Sequence, residues 1–537
     1  MQVRTKYLSG RDPLMMQAQV AAREKSPDAF RRSNAAFETI TSRLRSAEVM
    51  AMTHAELERL LHEDGLKLLR QLLQDHLDLR SLREQQQGFV PVRGADGVER
   101  PHRRDTTRQL ETVFGEVEVR REAHGARGQK SLHPLDAHLN LPKDKYSHEV
   151  SRRIAKEVAC RSFDDAVQTL RETTGAHVAK RQVEQLCVQA ACDFDAFYQE
   201  QAQKAASNPT QTAELLVVTG DGKGLVMRKE ALRPATRKQA EKKVHELKHR
   251  LQAGEKKGRK RMAQVAAVYT IAPFVRTAQD IVREFRDPSL PLPVRPRPQN
   301  KRVFAHVDRP AEQVLDDAFV EALHRDPERN KHWIGLVDGN AWQIEAMRRL
   351  ADTYGVALTI VVDVMHVLKY LWAAAAAFCP AGSPQAEAWV TEHLFALLSG
   401  THPGHVAAGM RRSATRRGLS PKEREPVEEA AEYLLHHADY LRYDKYLAAG
   451  LPIATGVIEG ACRYLVKDRM DITGARWGLA RAEAVLRLRA LRCSGDFEAY
   501  WQYHEEQELH RNHAVHYAER VPVPRPPRGR PALRLVP

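Results

Sequence analysis

Between Leu215 and Met227 the chain reads Leu-Leu-Val-Val-Thr-Gly-Asp-Gly-Lys-Gly-Leu-Val-Met. An apolar, β-branched run leading straight into Asp221 between two glycines fits a buried strand that delivers one carboxylate at its end, where the glycines let a ligand or another backbone approach. One such aspartate proves little. Its meaning depends on whether other carboxylates arrive from similar places.

Later segments supply them. Trp333 to Val337 reads as a short apolar strand ending in Asp338, Ala341 to Tyr354 as a helix, and Ala357 to Val362 as a β-branched strand ending in Asp363, after which His366 opens a helix through Leu371 to Phe378. Ala263 to Pro273 and Arg302 to Val307 are further apolar segments of strand type. The lysine- and arginine-rich Arg228 to Arg261 separates two of these segments, so it is an insertion between strands: a solvated run by default, a phosphate-binding loop if nucleic acid is the partner. Helical patterns, including Glu387 to Leu398 and Glu423 to Leu447, then fill the chain to about Tyr446 with no strand signal. Beyond them a helix carries Glu459, Arg463 and Lys467 at i, i+4 and i+8, one face of a regular α-helix.

The first half has a different texture. Thr53 and Glu56 form a capping signal before a leucine-rich amphipathic helix whose weak point is Gly65. Thr112 to Arg120 alternates as a strand in a hairpin or small sheet, and His102, His124, His133 and His138 read as scattered surface histidines rather than metal ligands. A helix from Ser162 to Leu170, a break at Thr174-Gly175 and a helix from about Ala179 to Ala190 fit a helix-turn-helix, with Lys180, Arg181 and Gln182 at the start of a recognition helix. An ordinary packing pair fits equally well.

At 537 residues the chain suggests roughly three or four units. Lysine plus arginine (84) outnumber aspartate plus glutamate (69), which favours a polyanionic partner, nucleic acid first. No signal-like or membrane-spanning run is present, so a cytoplasmic protein is expected. The six cysteines form no Cys-x-x-Cys pair and read as small buried hydrophobes. The expected organisation is a flexible N-terminus over 1–32, a helical and small β region over 33–145, a helix-turn-helix region over 146–205, a catalytic α/β core over 210–366 and 451–505 interrupted by a helical insertion over 367–450, and a basic tail over 506–537.

Asp221, Asp338 and Glu459 could meet at one edge of a sheet, and three carboxylates in one place suit two hard cations that act in phosphodiester displacement. The plainer reading is that strand-end aspartates cap the next helix and that Glu459 with Arg463 is a surface pair. The stretches Thr219-Gly-Asp-Gly-Lys-Gly, Gly335-Leu-Val-Asp-Gly-Asn, Val361-Val-Asp-Val-Met-His-Val-Leu-Lys-Tyr-Leu-Trp and Thr455-Gly-Val-Ile-Glu-Gly-Ala-Cys-Arg resemble bacterial insertion-sequence transposases of the DDE class, most of all the ISKra-type family, over about Thr112 to Tyr503.

That resemblance implies an α/β ribonuclease H-like core with a large all-α insertion, preceded by a mainly helical region with a small β element and a helix-turn-helix. It implies Asp221 and Glu459 as the first and third catalytic, metal-binding carboxylates and Asp338 as the second, with Asp363 and His366, a signature that follows the second aspartate in several such superfamilies, supporting the site or replacing Asp338 in it. It implies two Mg²⁺ ions (Mn²⁺ as substitute), terminal inverted repeats and target DNA as partners, a homo-oligomer on DNA, and a bacterial, nucleoid-associated location. Lys180, Arg181, Gln182, Lys223, Arg463 and Lys467 are then the candidate DNA contacts. Relatives often carry a cysteine zinc finger before Ser147, and this chain has no such cysteines. A non-catalytic DNA-binding regulator and a ribonuclease H-like nuclease are the competing readings.

Overall fold

The computed structural model describes residues 29–86, 91–207, 213–242, 259–286, 294–472 and 474–519. Of the flexible N-terminus expected over 1–32, residues 1–28 lie outside the described residues while Arg31 and Arg32 already belong to a helix; residues 243–258 of the basic insertion and the tail from 520 also lie outside them. The chain divides into a terminal unit, built from Met1–Glu157, Phe163–Leu186 and Trp501–Pro537, and a central unit, built from Val158–Ser162 and Cys187–Tyr500.

The terminal unit begins with helices α1 (Arg31–Leu44) and α2 (His54–Gln86). The Glu56 carboxylate accepts from both the hydroxyl and the backbone N–H of Thr53, at 2.7 and 2.8 Å, which starts α2 where the sequence placed it. Gly65 does not end the helix, which runs for 33 residues in all. Strands β1 (Val92–Arg93) and β2 (Glu99–Arg100) form a small hairpin. Strands β3 (His102–Thr112) and β4 (Gly115–Gly125) form a longer one, with Thr112 opposite Gly115.

The strand expected from Thr112 to Arg120 therefore starts three residues late. Val113 and Phe114 make the turn: Thr112 Oγ1 accepts from Phe114 N and donates to Gly115 O, and Gly115 takes φ +115°. Helix α2 lies along β4, where the Gln74 amide bonds both backbone groups of Glu118 and the Glu84 carboxylate accepts from the N–H groups of Glu122 and Leu135. Leu77, Leu110, Val117, Val119, Leu135 and Leu141 close the core between them.

Helices α3 (Phe163–Thr173) and α4 (Lys180–Gln189) match the two expected around the glycine break. The break is fastened to the hairpin turn: Gly175 N donates to Val113 O, and a Cβ on Gly175 would lie 2.5 Å from Phe114 O. Glycine is required there because two backbones touch.

The histidines depart from expectation. His124 is buried and His133 and His138 are half-buried; only His102 is exposed. Burial, reinforced by Arg121, pushes His133 down to about 4, and burial pushes His148 to about 4. A histidine depressed in the folded state protonates more readily when unfolded, so its contribution is intact above pH ~6.5 and is lost as pH falls towards 4. The terminal unit should accordingly lose on the order of 1–3 kcal/mol per such histidine over that window, and His148→Gln should flatten the decline in melting temperature between pH 7 and 4.5. An unchanged pH profile in that variant would contradict this assignment.

The central unit is organised on a five-stranded mixed sheet: β5 (Leu215–Val226), β6 (Lys260–Ile271), β7 (Gln299–His306), β8 (His332–Val337) and β9 (Leu358–Val362), in the spatial order β7-β6-β5-β8-β9. β5, β6 and β7 pair antiparallel, whereas β5, β8 and β9 run parallel. Leu215, Leu216, Val217 and Val218 are all buried on β5, as a strand covered on both faces demands. Even-numbered positions of β5 face α5 (Ala311–Arg325), where a Cβ on Gly220 would meet Leu315 at 3.0 Å; odd-numbered positions face the segment after Gly456, where Asp221 meets Cys462. The crossover between parallel β8 and β9 is α6 (Ala341–Tyr354), and α7 (Val364–Ala375) follows β9.

The stretch expected to be an all-α insertion is helical: Pro384–Leu398, Pro403–Arg416, Pro421–His436 and Tyr443–Ala448 follow α7. The single helix read over Glu423 to Leu447 is broken after His436, where a 3-10 turn at Ala438–Tyr440 intervenes. The expected basic tail from 506 starts too early, since a helix runs over Phe497–Asn512. No helix among the described residues is long and apolar enough to cross a membrane.

Candidate functional site

The parallel register fixes where the aspartates fall. Thr219 pairs with Leu336, and Val337 pairs with Val362. Two residues beyond Thr219 is Asp221, two beyond Leu336 is Asp338, and one beyond Val362 is Asp363, so all three stand at one level across neighbouring strands. Asp221 is not at a strand end, as the sequence suggested. It lies inside the twelve-residue β5, which continues against β6 after β8 has stopped. The early end of β8 is what opens Asp221, an exposed residue, to solvent.

The two remaining aspartates have different occupations. Helix α6 is capped by Asn340, whose side chain accepts from Trp342 N and Gln343 N, so Asp338 is relieved of capping; its Oδ1 accepts from Asn340 N, at 2.9 Å. Asp338 stays half-exposed and lines a cavity of about 280 Å³ together with Asp221. Asp363 is fully buried and caps α7 through Met365 N. Its carboxylate also takes Thr455 Oγ1 at 2.7 Å, Thr455 N at 3.3 Å and His366 Nδ1 at 2.9 Å. The helix-capping reading thus applies to Asp363 and fails for Asp338.

Glu459 arrives from the far side of the sheet on the short helix Gly456–Ala461, and it is exposed. Thr455 Oγ1 lies 3.4 Å from Glu459 Oε1, so one threonine ties the buried aspartate to the exposed glutamate. The backbone then widens into a π-helical turn over Cys462–Lys467, a feature that recurs at functional sites. The regular i, i+4, i+8 face expected for Glu459, Arg463 and Lys467 is corrected by this turn. Arg463 pairs with Asp468 at 3.6 Å instead of Glu459, and both Arg463 and Lys467 remain exposed.

His366 reports the local field. Its pKa is raised, first by the Asp363 hydrogen bond and further by the charges of Asp363, Asp338 and Glu459, against an opposing effect of burial. Cys462 reports the other side: burial first, then Asp221, drives its thiol well above the ordinary range, with Glu459 acting the same way and Lys223 opposing. The thiol therefore stays protonated and donates to Asp221 Oδ2 at 3.3 Å. Asp221, Asp338 and Glu459 share this neighbourhood with Lys223.

Among the described residues Asp221 and Asp338 belong to no group of three ligand atoms within 4.8 Å of one another, and the possible metal set that the structure does close here is Asp363, His366 and Glu459. The four hydrogen bonds into Asp363 argue against it, because they occupy the lone pairs a cation would need. Asp363 instead fixes the ring of His366 and leaves Nε2 as its outward nitrogen. Asp221, Asp338 and Glu459 keep unoccupied oxygen lone pairs and open exposure, a donor set that suits hard divalent cations.

Several contributing residues gave no signal of their own in the sequence. Tyr433 Oη donates to Asp338 O at 3.0 Å and His437 Nε2 lies 2.7 Å from Gly339 O, so the helical stretch pins the turn after β8. Gly339, at φ +96°, has no room for a Cβ, which would lie 2.5 Å from Tyr433 Oη. Cys462, read as a small hydrophobe, is buried but bonded to the first aspartate. Thr455 could have been singled out, since it sits four residues before Glu459.

In the terminal unit, Lys180 is paired with Asp164 at 2.6 Å, Arg181 is exposed and Gln182 is half-buried at the start of α4. No protein-family model matches the chain, and no curated protein matches it.

The two aspartates should separate by stability. Asp363→Ala should destabilise the central unit by about 2–4 kcal/mol, since it removes a helix cap and strands buried donors. Asp338→Ala should cost less than about 1 kcal/mol. Urea unfolding checks this; the opposite order would refute the division of roles.

Proposed function

We propose that the central unit is the catalytic core of a Mg²⁺-dependent DNA transposase of the DDE class, one that cuts the ends of an insertion element and joins them to target DNA. The observation that carries the proposal is the placement of Asp221 and Asp338 at one level on adjacent parallel strands, with Glu459, on a helix beyond a long helical stretch, linked through Thr455 to the neighbouring Asp363. The strand order, three antiparallel strands followed by two parallel ones, is the order expected of a ribonuclease H-like core and supports the reading.

Asp221, Asp338 and Glu459 are the residues that would hold the cations. A pair of divalent ions there supplies Lewis acidity for in-line displacement at phosphorus. The protein's own residues do the rest. Asp363 and Thr455 hold the glutamate helix against α7, and the Tyr433 and His437 contacts fix the backbone that presents Asp338. His366, whose pKa is raised by the surrounding carboxylates, offers Nε2 to a phosphate, and Lys223, two residues from Asp221 on the same face of β5, offers an ammonium. The same carboxylates serve cleavage and joining, because both are displacements at phosphorus, and no protein nucleophile is required. Helices α3 and α4 fit the role of reading the element's terminal repeats, with Arg181 the exposed cation at the start of the second helix.

Incubation of labelled element-end DNA with the protein and Mg²⁺ should give nicked ends and then joined products. Asp221→Asn, Asp338→Ala and Glu459→Gln should each lower cleavage at least about 100-fold while end binding persists, and His366→Ala about 10–100-fold. Binding without cleavage by the wild-type protein would favour a DNA-binding regulator, and cleavage without joining a nuclease. Cleavage surviving in Asp338→Ala but not in a folded Asp363→Asn would reverse the assignment of the second aspartate.

A further inference from the structure

The wide turn after Glu459 deprives a carbonyl of its ordinary partner. In a regular α-helix Asp468 N would donate to Tyr464 O, four residues back. Here it donates to Arg463 O instead, the longer reach of a π-helical turn. Tyr464 O is met by Arg489 Nη2, which comes from the separate helix Leu479–Ser494. The same guanidinium donates through Nε to Leu465 O at 2.7 Å and through Nη1 to Ala159 O. Arg489 is buried, and these partners are backbone carbonyls. A buried guanidinium is costly to desolvate, and hydrogen bonds to most of its donors are what offset that cost.

The chain is anchored on both sides of the turn, so the width of the turn decides which way Glu459 faces. Upstream, Thr455 Oγ1 is bonded to Asp363, and Cys462, where the turn begins, donates to Asp221 Oδ2. Downstream, Trp477 Nε1 donates to Met470 O at 2.9 Å and Trp477 N donates to Val226 O at 3.1 Å, which ties this segment to the end of β5. Closing the turn into a regular helix would take up one residue of slack. Glu459 and Cys462 would then rotate by roughly 100° relative to Met470, the step of one helical residue. Cys462 would swing away from Asp221.

We propose that Arg489 is a positioning residue for the carboxylate site, holding the π-helical turn open and so fixing the direction in which Glu459 faces. It acts only through the backbone of Tyr464 and Leu465. The consequence for metal binding and cleavage rests on the transposase reading, whereas the clamp on the turn does not.

The test compares the full-length wild type with Arg489→Met and Leu488→Ala. The first keeps a long apolar stem and removes the donors together with the buried charge. The second removes a buried side chain from the same helix and leaves the clamp in place. Relative to the strands of the sheet, amide hydrogen exchange between Glu459 and Met470 should quicken at least about tenfold in Arg489→Met and stay as in wild type in Leu488→Ala. Calorimetric Mn²⁺ affinity should fall at least about tenfold in Arg489→Met, and the Mg²⁺ concentration for half-maximal cleavage of element-end DNA should rise by a similar factor. Leu488→Ala should match wild type in both, even with a lowered melting temperature. If Arg489→Met does not fold, Arg489→Lys carries the same comparison, because it keeps the charge and loses the planar reach to several carbonyls. Wild-type protein that binds no Mn²⁺ would count against the transposase reading, and hydrogen exchange would still decide the clamp. Unchanged exchange over the turn, faster exchange with unchanged Mn²⁺ affinity, or an equal loss of affinity in Leu488→Ala would overturn the proposal.

Discussion

The register between β5, β8 and β9 is the constraint on which the rest of the site depends. Parallel pairing of Thr219 with Leu336 and of Val337 with Val362 leaves no freedom in where the following aspartates stand. A slip of one residue in either pair would turn an aspartate to the opposite face. The buried apolar run from Leu215 to Val218 prevents that slip, because it would have to exchange neighbours on two covered faces at once. Packing of the sheet and placement of the carboxylates are therefore one problem with one solution.

Bringing four acidic groups and a histidine into one neighbourhood carries an electrostatic cost, and the structure meets it unevenly. Asp363 is buried but takes four hydrogen bonds, so its charge is spread over Thr455, His366 and the start of α7. Asp221, Asp338 and Glu459 are left open to water, where screening keeps their repulsion small. The supporting groups belong to elements distant in sequence: Tyr433 and His437 lie on the helix Pro421–His436 or directly after it, and Thr455 precedes the glutamate helix. In this arrangement the helical stretch between β9 and Glu459 holds the turn that presents Asp338.

Much of this was legible in the sequence, and the reasons are specific. β8, α6 and β9 could be bounded within a residue or so because their apolar periods are undiluted and Asn340 and Gly355 punctuate the helix. The position of Asp221 inside its strand was not legible, because strand length depends on the register with β6, and the apolar segment from Ala263 marks that partner without giving its register. The π-helical turn after Glu459 was hidden as well; Cys462 and Lys467 carry no composition signal that distinguishes a wide turn from an ordinary one. Asp338 and Asp363 both looked like strand-end aspartates, and only the resemblance favoured Asp338 as the metal ligand; their caps separate them physically. Asn340, two residues after Asp338, was the clue, since a better capping residue in the right place frees an aspartate for other work. The burial of His124 and His133 could not be read from spacing, because it is set by the packing of β4 and the loop after it.

The proposed function stands on which oxygen atoms would receive divalent cations. Crystals soaked in Mn²⁺ and measured at the manganese absorption edge would show this directly. Anomalous peaks are expected between Asp221 and Asp338 and beside Glu459, with the Asp363 carboxylate still bonded to Thr455 and His366. Ions seated on Asp363, His366 and Glu459 with Asp221 uninvolved, or no bound manganese in the central unit, would contradict it.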